Sequence, residues 1–263
     1  MNRGSASPPP AIKALALIGV AFLGVPIGTL LWRAPWSRLV ELLASDELAT
    51  TLQLSLFSSL WATALAALVG IPLAWLLARG TFRGKRFIRG LVILPVVLPP
   101  VIAGLALITA FGRSGVLGRW LFETFDVSLP FTTTGTILAE TFVAMPFLVL
   151  AVEGALRSSD RAYEDAAATL GARPWTVFRR VTLPAIAPAL LSGALLAWAR
   201  ALGEFGATIT FAGNLPGATR TIPLAAFFAL QREPEAAIAL SLVLVTVSLG
   251  VLIALRDRWL VTA

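Results

Sequence analysis

Few side chains in this 263-residue chain are equipped for chemistry, and their spacing narrows what they can do. Histidine and cysteine are both absent, which removes the commonest metal ligand and general base, every thiolate site and every disulfide. Glu140 lies inside an apolar run, where a carboxylate needs a partner or a polar cavity and can act as a proton site. Arg200 and Glu204 stand at i and i+4, the spacing of an ion pair on one helix face. Gly80 to Lys85 has the outline of a phosphate-binding loop. It has one residue too few between its glycines, however, and Arg86 stands where a magnesium-binding Ser or Thr is required. With no clustered polar catalytic set, an enzyme acting on lipid is disfavoured.

The most informative polar stretch runs from Ser158 to Pro184, between two apolar runs, and reads as two short helices. Asp160 can cap the first by accepting from the free amides of its opening turn. Tyr163, Ala166, Ala167 and Leu170 then form one apolar stripe at i, i+3, i+4 and i+7. Gly171 follows where a left-handed residue is wanted, and Pro174 opens the second helix. A helix of about ten residues is marginal alone and needs a surface to dock on. Three consecutive alanines, 166 to 168, let another backbone approach closely, so the stretch reads as a cytoplasmic coupling element.

The elements that position these groups are membrane spans. At 57% hydrophobic residues the chain has too little polar surface to cover a soluble core. Residues 1–11, with three consecutive prolines, read as a disordered tail, and 12–263 as a single transmembrane domain. Spans are expected at about 14–32, 52–78, 91–112, 134–156, 184–203 and 237–255, with the coupling loop at 157–183. The first span is long for a cleaved signal peptide, and no Ala-x-Ala site closes it. Gly70-Ile71-Pro72 is expected to kink the second. Pro95, Pro99 and Pro100 break the third, which then needs neighbouring protein or a water cavity to satisfy its freed carbonyls. Gly203 to Ala236 reads as the longest external segment, and Ile222 to Leu230 within it is too short to span. That piece either lies in the interface or re-enters. Arg256 to Trp259 is expected to anchor the end of the last span.

Charge distribution fixes the orientation of this scheme. The tails and the loops at 79–90 and 157–183 carry fourteen Lys and Arg, against six on the opposite side, which makes both termini cytoplasmic. The same scatter between spans argues against nucleic acid as a partner. No internal repeat is evident, which disfavours the secondary transporters built on inverted repeats.

Asp165-Ala166-Ala167, three residues, Gly171, nine residues and Val181-Thr182-Leu183-Pro184 resembles the EAA loop of ABC importer permeases. That loop reads Glu-Ala-Ala, three residues, Gly, nine residues, Ile-x-Leu-Pro. Asp165 replaces Glu and Val181 replaces Ile, and Glu164 just upstream leaves open which acid plays the family's part. The resemblance extends over nearly everything after residue 48. Leu94 to Gly104, Phe111 to Gly118, Arg200 to Ile209, Gly213 to Gly217 and Thr219 to Leu224 look like the molybdate permeases of that group, and sulfate permeases share the Gly203-Glu204-Phe205-Gly206 segment.

This resemblance implies an all-α, type I ABC importer permease fold with six transmembrane helices in the plasma (inner) membrane. It implies a non-enzymatic homodimer working with two ABC ATPase subunits and an extracytoplasmic oxyanion-binding protein. ATP and magnesium would belong to the ATPase, and this chain would bind no cofactor or metal. The coupling loop would present Glu164, Asp165, Ala166, Ala167, Gly171, Val181, Leu183 and Pro184 to the ATPase. The translocation path would involve Pro99, Pro100, Glu140, Arg200, Glu204 and Thr208. Molybdate is the implied solute, with tungstate or sulfate and thiosulfate as alternatives. An ion-coupled carrier using Glu140 is the rival reading from another class.

Overall fold

A computed structural model describes residues 9–254 of the chain. The first eight residues of the expected tail and the expected anchor at Arg256 to Trp259 lie outside that range.

The described residues form an all-helical bundle. In chain order the helices are α1 (Pro10–Trp32), α2 (Leu39–Leu43), α3 (Asp46–Arg79), α4 (Lys85–Val97), α5 (Pro100–Phe111), α6 (Val116–Phe125), α7 (Thr133–Ser158), α8 (Ala162–Thr169) and α9 (Pro174–Val177). A π-helical turn, Phe178–Thr182, joins α9 to α10 (Leu183–Leu202), and α11 (Gly206–Phe211), α12 (Ile222–Leu230) and α13 (Pro234–Ala254) complete the bundle. Five uninterrupted helical stretches are long and apolar enough to cross a membrane: α1, α3, α7, α13 and the run from Pro174 to Leu202. The pair α5 and α6, bent by 44°, is apolar enough only when taken together, as a broken span or a re-entrant loop is. The chain is a multi-pass membrane protein.

Helices α1, α3, α7 and α13 lie over four of the expected spans and start between one and six residues earlier than expected. α1 begins at Pro10, inside the stretch assigned to the tail, because proline suits the first helical position. Pro72 is accommodated inside an unbroken α3. The third span differs more. The expected helix at 91–112 is two helices, since Leu98 is extended ahead of two successive prolines and Pro100 then starts α5 afresh. The loop expected after it contains α6. The second short helix expected in the polar stretch does not stand alone, because α9 runs through the π turn into α10.

α7 is the centre of the bundle and contacts α3, α4, α5, α10 and α11. One core, containing Ala74, Leu77, Leu148, Val152, Leu156 and Ile186, lies between α3, α7 and α10. A second, with Ala103, Leu107, Ala139, Val143, Ala207 and Phe211, lies between α5, α7 and α11. Close backbone approach builds the second core. A Cβ on Gly104 would sit 2.6 Å from the Thr210 side chain, and one on Gly206 would sit 2.5 Å from Pro100 Cβ, so only glycine fits at either place. By contrast α1 buries no residue and presents Leu15, Phe22 and Leu23 outward, as a lipid-facing helix does.

The segment after Gly203 is not an external loop at its start. Glu204, Gly206, Ala207, Thr208 and Phe211 are all buried, because α11 turns back against α5 and α7. Sequence hydropathy missed this because six residues are too few to register as a span. α12 is a short helix packed against α13.

Candidate functional site: a coupling helix and a buried polar seam

The ends of α3 and α7 and the starts of α4 and α10 lie at one end of the bundle, where α8 contacts α9 and the π turn and bonds to Arg79 of α3. Asp160 does accept from the α8 opening turn, at 2.9 Å from the Ala162 amide. Gly171 ends the helix in the left-handed region at φ +81°, with its amide bonded to the Ala168 carbonyl. No residue of α8 is buried. Tyr163 is 72% exposed and Leu170 89%, so most of the expected apolar stripe faces away from the protein, and only Ala167 of the four is half-buried. Trp175 of α9 is exposed beside them. A groove of about 270 Å³, lined by Asp160, Tyr163, Glu164, Arg180 and Thr182, runs alongside.

Glu164 and Asp165 have different surroundings. Asp165 is exposed. Glu164 points into the bundle, where its Oε1 accepts from the Arg79 guanidinium at 3.0 Å and from the Thr182 hydroxyl at 3.1 Å. Thr182 sits in the π turn, in which the Leu183 amide reaches back to the Phe178 carbonyl. Val181, Leu183 and Pro184 continue into α10, with Val181 and Leu183 half-buried and Pro184 exposed. Nearby, Arg89 and Arg157 both pair with the buried Glu153, which ties α4 to α7. Lys85 closes the 80–85 loop on itself by donating to the Gly80 carbonyl at 2.9 Å.

Of the path residues expected from sequence, Glu140, Glu204 and Thr208 are buried inside the bundle. Glu140 is buried on α7 and accepts from the Ser58 hydroxyl of α3 at 2.9 Å, while among the described residues its Oε2 finds no partner. Arg200 and Glu204 form the expected ion pair at 2.5 Å. Glu204 also caps α11 by accepting from the Ala207 amide at 2.7 Å. Thr208, one turn further on, is fully buried, and its hydroxyl has no partner among the described residues. Pro100 lies against Gly206 at the same junction, and Pro99 and Pro100 remain exposed. Ser55 extends the seam by accepting from the Ile222 amide at 2.7 Å. Sequence reasoning missed Arg79, Thr182, Ser58 and Ser55. Arg79 reads there only as one of the basic residues of the 79–90 loop, and small hydroxyls inside apolar runs give no periodic signal.

At the opposite end a cavity of about 670 Å³ is lined by Arg38, Arg220, Arg232, Glu41, Glu47 and Glu233 among others. Arg38 bonds Glu235 at 2.7 Å and Glu233 at 3.3 Å, and Arg220 bonds Glu47 at 2.5 Å, so the α1–α3 and α11–α13 connections are clasped together there.

Residues 70–262 match the profile of the binding-protein-dependent transport system inner membrane component. The chain belongs to that family. It is a transport permease subunit of the inner membrane, not a catalyst. The molybdenum transport system permease protein ModB of Mycobacterium tuberculosis is 46% identical over 243 residues, covering 92% of each chain. ModB of Escherichia coli K12 is 41% identical over 206 residues, 77% of this chain and 90% of that one. The sulfate transport system permease protein CysT of the same organism is 35% identical over 222 residues, 84% of this chain and 80% of that one. Among solved structures, a bacterial ABC transporter that imports alginate superposes with a TM-score of 0.73 at 20% identity, over 96% of this chain and 95% of that one. The MetNI methionine ABC transporter gives 0.62 at 19% identity, over 83% of this chain and all of that one. These two share the fold.

Proposed function

We propose that this protein is the permease of an ATP-driven molybdate importer, taking the oxyanion from an extracytoplasmic binding protein and releasing it inside by alternating access. The observation that carries the solute is the 46% identity to a molybdenum permease over 92% of both chains, set against 35% to a sulfate permease. The permease acts as a homodimer, with one ATPase subunit on the α8 end of each copy. Both termini lie on that side, and the binding protein docks at the clasped end holding Arg38 and Arg220.

Support for the coupling role comes from the exposed Tyr163, Ala166 and Leu170 face, which a free protein would gain by covering. The polar seam of Glu140, Arg200, Glu204 and Thr208 lies along the path. Its one arginine is neutralised by Glu204, which keeps the anion from being held too tightly to leave.

The test is uptake into vesicles holding the permease and its ATPase, with the loaded binding protein outside. ATP-dependent molybdate accumulation, resistant to excess sulfate, is expected. Uptake by the permease alone under a proton gradient would overturn the proposal in favour of an ion-coupled carrier.

A further inference from the structure

We infer that Arg79 and Thr182 are positioning residues for energy coupling, fastening α8 to the bundle through Glu164 and leaving Asp165 free to face the ATPase. The inference rests on the coupling role proposed above and adds how force leaves the helix.

An eight-residue helix with no buried side chain is too short to hold its own geometry, and one that pivots transmits no force. Apolar packing does not fix it, since its largest apolar side chains point outward. What fixes it is a three-way polar joint. Arg79 is the last residue of α3, Glu164 lies in the first turn of α8, and Thr182 lies in the turn that leads into α10. Both donors converge on the same carboxylate oxygen.

The joint is shielded from water. The side chains of Arg79 and Glu164 are 11% and 18% exposed, and Thr182 is buried, so the pair escapes the screening that makes surface ion pairs weak. Arg79 Nε is itself buried without a partner among the described residues, which leaves the guanidinium dependent on Glu164.

The π turn sets this geometry. One residue in a helix is about 100° of rotation, so the extra residue in the turn turns α9 relative to α10 and lets Thr182 face Glu164 while Trp175 stays exposed. Because α3 and α10 both pack on α7, any displacement of α8 is passed to two of the three central helices at once. Arg89, Glu153 and Arg157 form a neighbouring cluster that joins α4 to α7 through ion pairs that include no residue of α8, so it provides an internal comparison.

The experiment uses the full complex of permease, ATPase and binding protein in proteoliposomes, and reads anion uptake per ATP hydrolysed. Glu164→Ala and Arg79→Ala are expected to keep hydrolysing ATP while uptake per ATP falls about ten-fold. The exchanged pair Arg79→Glu/Glu164→Arg is expected to recover at least half of the wild-type ratio, roughly, since the Thr182 hydroxyl can accept from a guanidinium as readily as it donates to a carboxylate. Arg157→Ala should leave the ratio unchanged. Wild-type ratios in both single variants, or an assembled exchange variant no better than the singles, would overturn the inference. If the single variants do not assemble, Thr182→Val decides, because it leaves the ion pair in place: a lowered ratio supports the joint and an unchanged one overturns it. Molybdate and sulfate are both offered to the wild-type complex first. Preference for sulfate corrects the solute and leaves the joint to be read with that anion, whereas no ATP-driven uptake of either overturns the functional reading and this one with it.

Discussion

The carboxylate of Glu140 and the hydroxyl of Ser58 meet at 2.9 Å across the contact of α7 with α3, 82 residues apart in the chain. That single bond is what a buried carboxylate has in place of water, for its other oxygen is unpartnered among the described residues. Ser58→Ala is therefore expected to destabilise the purified permease by about 1–3 kcal/mol, the penalty for stranding a buried acceptor. Glu140→Gln, which keeps the shape and the acceptor, should cost less. Thermal unfolding in detergent checks the order, and a Ser58→Ala protein as stable as wild type would refute the pairing.

Gly104 is held between Thr210 and Ala207, with no room even for a methyl group. Gly104→Ala should push α11 off α5 and cost about 1–3 kcal/mol, as overpacking generally does. Gly154 on α7 has open space around its Cβ position, and Gly154→Ala should be neutral or stabilising. Equal melting temperatures for the two variants would contradict the close approach.

Gly171 ends α8 at φ +81°, a conformation that costs a residue with a side chain about 1–2 kcal/mol, more if β-branched. Gly171→Val should still insert, because no membrane-spanning helix is altered, yet lose ATP-driven uptake. Gly171→Asn, better suited to the left-handed region, should retain part of it. Full uptake by the valine variant would count against the coupling role of this turn.

Ser128 and Ser159 flank α7, whose 26 residues extend about 39 Å at 1.5 Å per residue, more than the hydrocarbon layer. Since the native chain has no cysteine, single Ser128→Cys and Ser159→Cys variants can be labelled with an impermeant thiol reagent. Labelling from opposite sides is expected, with Ser159→Cys reached from the cytoplasm. Labelling of both from one side would sink the topology.

The sequence by itself determined the class of protein and the local form of its coupling segment. Hydropathy summed over a window marks α1, α3, α7 and α13, since lipid selects for apolar length whatever a helix packs against. Asp160 and Gly171 flank α8 at its start and its end, and Pro174 opens α9, because capping and chain reversal depend only on near neighbours.

Tertiary structure decided everything that depends on distant partners. The six residues of α11, Gly206 to Phe211, do not say whether they lie outside or fold inward. The bare faces of Gly104 and Pro100 on α5 settle it by giving α11 somewhere to pack. Nor do two adjacent acids reveal which one faces inward. Glu164 does so because the ends of α3 and α10 bring Arg79 and Thr182 to it from 85 residues upstream and 18 downstream. Such pairings follow from how whole helices stack on α7, and no short window of residues contains that information.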